Sequence, residues 1–131
     1  GVDIIAENVK INQPGFNIKK IYSDAHVQVT SAGGERYPTV NEAINNSIET
    51  GTLVLDYFGH GGINGWANER IVEVPQVQAW NNPNNLPLFV VVTCEYSRFD
   101  NPIRPTAGEF TFLNRIGGAT NMITTTREIF I

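Results

Sequence analysis

LPLFVVVTC, residues 86–94, is the stretch that decides the fold of this chain. Its unbroken, valine-rich apolar run has the length and composition of a strand buried inside a sheet. The run ends in Cys94, the only cysteine among the 131 residues. In open α/β sheets, active sites form at the carboxyl ends of such strands.

A second strand-like run lies upstream and ends in a histidine. TLVLDYFGHGG, residues 52–62, is mainly apolar up to Phe58 and then places glycines on both sides of His60. A segment able to form a helix separates the two runs, so we expect parallel neighbouring strands whose ends meet at one edge. A thiol and an imidazole brought together there are the minimum equipment for covalent acyl transfer.

Gly61 lets backbone approach a substrate carbonyl closely because it has no side chain. We expect the N–H groups of Gly61 and Cys94 to form an oxyanion hole, in which losing one donor typically lowers the rate by about 10²–10³-fold. Each residue also has a structural alternative. A lone cysteine after a valine run is usually a small buried hydrophobe, and a lone His60 is usually an ordinary core or surface residue.

The rest of the sequence alternates helical and strand-like segments. Helices are predicted over residues 3–12, 38–49, 75–80 and 107–115, strands over Phe16–Tyr22, Thr52–Phe58, Pro87–Thr93 and Ala119–Thr125, a flexible turn over 31–34 and a polar loop over 63–69. This alternation predicts an α/β fold with a mostly parallel sheet covered on both faces.

Composition excludes several classes of function. The net charge of -4 and the nine scattered basic residues offer no basic patch for nucleic acid. No apolar stretch approaches the roughly 18 residues of a membrane span, and a single cysteine excludes an internal disulfide framework. No residues have metal-ligand spacing, so neither a metal nor another cofactor is expected. Both ends are abrupt, so we expect residues 1–131 to be a piece cut from a longer protein.

Two motifs together resemble those of the gingipain-type cysteine peptidases. They are DYFGHGGINGWANERI, residues 56–71, and TCEYSRFD, residues 93–100. Cys94 follows His60 by 34 residues, nearer to that family's spacing than to the roughly 50 residues of caspases. The resemblance implies a caspase-like, three-layer α/β fold with a mostly parallel sheet. It also implies Cys94 as nucleophile, His60 as general base and acid, and oxyanion amides from Gly61 and Cys94.

Further stretches extend the resemblance over nearly the whole chain: KIYSDA (20–25), GGERYPTVNEAIN (33–45) and the segment 117–127. They favour the sortase-like branch that removes C-terminal secretion signals in the type IX secretion system. The resemblance implies a thioester at Cys94 that passes to water or to an amine on a surface glycolipid. The implied partners are C-terminal signal domains and other outer-membrane components of that system, and the implied location is the cell surface or outer membrane of an exporting cell.

One part of the family pattern is missing. In relatives, the first core strand and an acid that assists the histidine precede the region where this chain begins. We therefore expect a fragment of a single catalytic domain that lacks this strand, has little peptidase activity alone, and self-associates or rearranges at the unpaired strand 52–58. Asp24, Glu69 and Glu95 are stand-ins for the acid, although ordinary loop roles explain each of them better.

Several other side chains have two interpretations. Trp66 and Trp80 either wall a substrate pocket or pack in the core, and core packing is the better interpretation for Trp80. Arg98 and Asp100 either touch substrate or have a structural role, in which they pair with one another or stabilise the loop after Cys94. His26 is interpreted as structural.

Two other functions fit the same residues. A general gingipain-like cysteine endopeptidase predicts an enclosed acidic pocket that selects a basic side chain. A non-catalytic, peptidase-like binding module, which would hold a partner or an extended peptide along a sheet edge, predicts that Cys94 and His60 lie apart.

Overall fold

The computed structural model describes residues 1–130. Its helices are α1 (Val2–Asn12), α2 (Pro38–Thr50), α3 (Val74–Ala79) and α4 (Ala107–Leu113). Its strands are β1 (Val29–Ser31), β2 (Gly34–Arg36), β3 (Val54–Phe58), β4 (Gly61–Gly62), β5 (Gly65–Trp66), β6 (Val72–Glu73), β7 (Leu88–Val92) and β8 (Asn121–Thr124). None of these helices is long and apolar enough to cross a membrane.

A parallel sheet in the order β3-β7-β8 forms the centre of the molecule. β3 pairs with β7 so that Phe58 lies opposite Val92, and β7 pairs with β8 in the same direction. The strands predicted over 52–58, 87–93 and 119–125 are confirmed, each slightly shorter than expected. The mixed α/β architecture agrees with the expected caspase-like class.

The strand predicted over Phe16–Tyr22 is wrong. This segment pairs with no strand of the described chain and runs instead between α1 and α2. Lys19 Nζ donates to Ser47 Oγ of α2 at 2.8 Å, and Lys20 Nζ pairs with Glu7 of α1 at 2.6 Å. Extended residues become a strand only when a neighbouring strand pairs with their backbone groups. Most residues of this segment are instead exposed, and its lysine side chains contact the two helices.

The four predicted helices are confirmed, and local sequence explains their ends. α2 begins at Pro38, whose missing N–H costs nothing at the first helical position, and ends before Gly51, which has φ 109°. α4 begins with a capping box, in which Thr106 and Glu109 each bind the other's backbone N–H.

Short antiparallel pairings surround the central sheet. The predicted turn over 31–34 closes the β1–β2 hairpin. Part of the polar loop predicted over 63–69 is instead β5, which lies between β4 and β6 in a small second sheet. Gly65 and the asparagines of this segment predicted a loop, although backbone contacts alone are enough to form such short strands.

The core lies on one face of the parallel sheet. Phe89 and Val91 of β7 are fully buried and join one cluster with Val40 and Ile48 of α2 and Trp80 after α3. The opposite face is less covered among the described residues. The exposed apolar side chains there are Val54 (48%), Phe58 (44%) and Ile123 (62%). Coverage is therefore uneven, with the densest packing under the strand that leads to Cys94.

Candidate active site

The ends of β3 and β7 bring His60 and Cys94 to one edge of the parallel sheet. Phe58 lies opposite Val92, and Gly59 N–H still donates to Val92 O at 3.2 Å. His60 and Cys94 each follow two residues after the paired positions. Because the strands are parallel, both residues leave the sheet at its carboxyl edge.

The histidine hairpin, residues 59–67, folds back on itself through β4 and β5. Ala67 N–H donates to His60 O at 2.7 Å, and the Tyr57 hydroxyl donates to the same oxygen at 2.6 Å. The Tyr57 ring stacks on Trp66 with centroids 4.6 Å apart. The backbone of His60 is thus fixed, whereas the residue itself is exposed.

Gly61 is the point where the histidine hairpin contacts the strand that leads to Cys94. A Cβ at Gly61 would lie 2.6 Å from Thr93 Oγ1 and 2.7 Å from Gly65 O, which is too close for any residue but glycine. Thr93 is fully buried, and its hydroxyl has no hydrogen-bond partner within residues 1–130. This contact places the hairpin directly beside the residue that precedes Cys94.

Two backbone amides face away from the local pairing. Since His60 and Ala67 form a hydrogen-bonded pair, the adjacent Gly61–Trp66 pair is not hydrogen-bonded, and the Gly61 N–H points away from β5. The Cys94 N–H has no acceptor in the part of the chain that the structure describes. These are the two amides expected in the oxyanion hole, and that role stays a prediction.

The thiol of Cys94 is partly buried and donates to Ile129 O at 3.4 Å. No hydrogen bond joins it to the His60 imidazole within residues 1–130. The residues share an edge, but the pairing of thiol and imidazole stays a prediction. Catalytic contacts are often loose without substrate and tighten when it binds.

The cysteine loop, residues 93–98, is held by the segment that follows β8. Glu95 N–H donates to Arg127 O, and Ser97 N–H donates to Thr125 O, both at 3.1 Å. The two bonds have the spacing of an antiparallel pair. The position of the cysteine loop therefore depends on residues far downstream in the sequence.

The N-terminus of α4 joins the histidine hairpin to the cysteine loop. Ala107 N–H donates to Ile63 O at 2.8 Å, and Gly108 N–H donates to Tyr96 O at 2.9 Å. The first N–H groups of a helix have no partner within it. Here they bind one carbonyl from each loop, so α4 fixes the separation between the two.

Arg98 and Asp100 stabilise the loop instead of standing free in the cleft. Arg98 pairs with Glu95 at 2.7 Å, and Asp100 pairs with Arg127 at 2.6 Å. The hydrogen bond from Arg127 lowers the pKa of Asp100 below its usual value. Of the two interpretations of these side chains, the structure favours the structural one.

No carboxylate hydrogen-bonds to His60 within residues 1–130. Glu95 forms an ion pair with Arg98, and Asp24 is exposed in a 3-10 turn. Glu69 lies near Tyr57, where its charge adds to the effect of burial on the pKa of the phenol. The acid that orients the imidazole is not identified among the three stand-ins.

The remaining candidates are structural. Trp66 and Trp80 are 2% and 1% exposed, so both pack in the core. Trp80 also lines a groove between α2 and α3 that includes neither His60 nor Cys94. His26 Nδ1 lies 2.7 Å from Thr39 Oγ1 at the start of α2. Within residues 1–130, no group of three His, Cys, Asp or Glu side chains could hold a metal ion.

A groove of about 370 Å³ lies between α2 and α3 and includes neither His60 nor Cys94. Arginines and glutamates both line it, so it is not the enclosed acidic pocket that a general gingipain-like endopeptidase predicts. Its lining residues include Arg36, Glu49, Arg70 and Glu73.

Backbone conformation adds an independent signal. Three non-glycine residues of the described chain have positive φ: Ala67 at 58°, Arg70 at 53° and Glu95 at 50°. Glu95 directly follows Cys94, and Ala67 ends the histidine hairpin. Such conformations are costly and cluster where a structure must hold an active site.

Tyr57 and Thr93 belong to this site although the sequence motifs did not predict a role for either residue. Tyr57 precedes His60 by three residues within the histidine motif, which was the only available signal. No sequence signal pointed to Thr93, because its contact with Gly61 forms only when the two strands lie side by side.

The family model of peptidase family C25 matches residues 2–131. Comparison with curated proteins and with solved structures gave no significant match. The family consists of cysteine peptidases of the gingipain type, and the match covers both strand ends and the loops that follow them. The chain therefore belongs to peptidase family C25.

Proposed function

We propose that this protein cleaves a peptide bond through a thioester at Cys94, with His60 as general base and acid. The observation that carries the proposal is the common register of β3 and β7, with Gly61 packed against Thr93. It supports a cleft in which thiol and imidazole reach one scissile bond. If the protein were a non-catalytic binding module, Cys94 and His60 would be expected to lie apart, and the common register of β3 and β7 disfavours this alternative.

The reaction balances with these two side chains and water. His60 takes the thiol proton while Cys94 Sγ attacks the scissile carbonyl carbon, and the amides of Gly61 and Cys94 donate to the resulting oxyanion. The tetrahedral intermediate collapses, the C–N bond breaks, and His60 gives the proton to the leaving amine. Water or an acceptor amine then attacks the thioester and restores the thiol.

We propose that the substrate is the C-terminal secretion signal of proteins exported by the type IX system, as in PorU-type, sortase-like signal peptidases. The support is the resemblance of residues 56–71 and 93–100 to that branch. Under this proposal the protein acts at the cell surface or outer membrane, with signal domains and other secretion components as partners. A general endopeptidase of the same family is the second candidate.

We also propose that this region self-associates through β3. β3 is an edge of the parallel sheet in the described chain, and Val54 and Phe58 are each over 40% exposed. An unpaired, apolar edge is a template for further pairing. Light scattering that gives only monomers at high concentration would remove this part of the proposal.

The catalytic proposal is tested with the intact protein and a substrate that carries a C-terminal signal domain. Cys94→Ala should abolish cleavage, and His60→Ala should lower its rate by about 10²–10⁴-fold. Mass spectrometry should detect the acyl group on Cys94, and hydroxylamine should release it. Unchanged cleavage by Cys94→Ala would exclude the proposal, whereas equal cleavage of unrelated peptides would favour the general endopeptidase.

A further inference from the structure

The hydroxyl of Tyr57 contacts the backbone of His60. It donates to the His60 carbonyl oxygen at 2.6 Å, and Ala67 N–H donates to the same oxygen at 2.7 Å. A carbonyl oxygen has two lone pairs, so these two donors satisfy it completely. The peptide plane that follows His60 is therefore held from two sides.

The ring that carries this hydroxyl has little freedom. It stacks on Trp66 with an angle of 5° between the ring planes, and Trp66 is 2% exposed. Gly59 lies close to the hydroxyl, because a Cβ there would be 2.8 Å from Tyr57 Oη. Any larger residue at position 59 would displace the hydroxyl from its place.

The phenol remains a donor over the whole neutral range. Burial, with a contribution from Glu69, raises the pKa of Tyr57 to about 12. Because the pKa of Tyr57 in the folded protein lies above the usual tyrosine value, the hydroxyl keeps its proton until the pH approaches this raised pKa. The hydrogen bond to His60 is therefore present at every pH at which a thiol peptidase is active.

The imidazole of His60 is not itself held by the contacts that fix its backbone. It makes no hydrogen bond of its own within residues 1–130, and His60 is exposed. With no side-chain partner to orient the ring, the direction of the Cα–Cβ bond is set by the peptide that carries it.

We propose that Tyr57 is a positioning residue for the general base: its hydroxyl fixes the His60 peptide so that the imidazole is directed toward Cys94. The inference rests on the proposed Cys94–His60 pair. It assigns to Tyr57 no contact with substrate and no proton transfer.

The test compares Tyr57→Phe with wild type in the intact protein. The variant loses the hydroxyl but keeps the ring on Trp66. We expect kcat on a fluorogenic signal peptide to fall roughly tenfold with KM unchanged, because a misplaced base lowers the chemical step and not binding. Thermal unfolding checks that the fold is retained.

A second readout needs no substrate. The pH profile of Cys94 alkylation by iodoacetamide should move in Tyr57→Phe toward the profile of His60→Ala. Gly59→Ala should have the same effect, because it displaces the hydroxyl without changing the tyrosine. Tyr22→Phe is the matched control, since its hydroxyl binds Asp3 of α1 at 2.6 Å, and both readouts should stay at wild type.

Three results separate the outcomes. A Tyr57→Phe profile between those of wild type and His60→Ala supports the inference. If Tyr57→Phe matches wild type in both readouts while His60→Ala differs, Tyr57 has no positioning role and the catalytic proposal stands. If His60→Ala itself alkylates as wild type does, the Cys94–His60 pair is absent and both proposals fail.

Discussion

The histidine hairpin and the cysteine loop each carry one reactive group, but different parts of the chain hold them. The carbonyl of His60 is bound by Tyr57, three residues away, and by Ala67 within the same hairpin. The thiol of Cys94 is bound by Ile129, 35 residues away. The backbone of His60 is thus bound by residues close in sequence, whereas the thiol of Cys94 is bound by a residue far along the chain.

This difference separates activity from stability. A change in the histidine hairpin should disturb the base while much of the core stays intact. A change beneath the cysteine loop should weaken the docking of α4 and lower the stability of the whole domain. Four substitutions test the distinction, from the largest expected effect to the smallest.

Gly61→Ala should have the largest effect, on activity. Its Cβ would meet Thr93 Oγ1 and Gly65 O, so the hairpin must shift and carry His60 away from the cysteine strand. We expect kcat/KM on a fluorogenic signal peptide to fall about 10²-fold, the typical cost of a 1 Å misplacement.

The neighbouring glycine is the control for this prediction. A Cβ at Gly62 would meet nothing within 4 Å, so Gly62→Ala should keep kcat/KM within a few-fold of wild type. If both alanine variants behaved alike, the contact with Thr93 would not be what positions the hairpin.

Gly108→Ala should have the largest effect on stability. Its Cβ would meet Ser97 Oγ and lie 2.5 Å from Tyr96 O, so α4 must move off the cysteine loop. Overpacking of this kind costs about 1–3 kcal/mol in the free energy of unfolding. Urea denaturation measures it, and a variant as stable as Gly62→Ala would contradict the prediction.

Tyr96→Phe should have a smaller effect of the same kind. Thr111 Oγ1 gives its hydrogen to Ala107 O, so the buried Tyr96 hydroxyl donates to Thr111 Oγ1 at 2.8 Å. Losing this hydrogen bond should lower the free energy of unfolding by about 1 kcal/mol. Tyr22→Phe, at a tyrosine that is 48% exposed, should change it far less.

Asp100→Asn should have the smallest effect, seen only in how the segment 125–129 holds the cysteine loop. Arg127 lowers the pKa of Asp100, so the pair stabilises the fold at neutral pH and is lost as the pH falls through that lowered pKa. As the pH is lowered, the hydrogen-exchange rate of the Glu95 N–H should rise more in the wild type than in Asp100→Asn, because only the wild type loses the ion pair. An identical acid response in wild type and Asp100→Asn would show that the pair does not hold the loop.

The incorrect prediction of a strand over Phe16–Tyr22 shows what a pattern of apolar residues cannot determine. Both this segment and β3 carry several apolar residues, but β3 has β7 beside it and residues 16–22 have no strand partner in the described chain. The helix over 38–49 was predicted nearly to the residue, because Pro38 and Gly51 mark its ends by backbone preference alone. The helix ends were confirmed because backbone preference alone sets them, whereas the strand over 16–22 was wrong because a strand needs a neighbour that its own sequence does not specify.

Sequence alone determined the two strand ends and the residue types they carry. Apolar runs of strand length predict strands of a sheet, so the runs that end in Gly59-His60-Gly61 and at Cys94 predicted two neighbouring strands. Only the tertiary structure decided what holds these ends in place. The contact of Gly61 with Thr93, the two amides of α4 and the Ile129 carbonyl on the thiol join residues that no periodicity links. Such contacts depend on shape at the scale of one atom, which a pattern of apolar and polar positions does not specify.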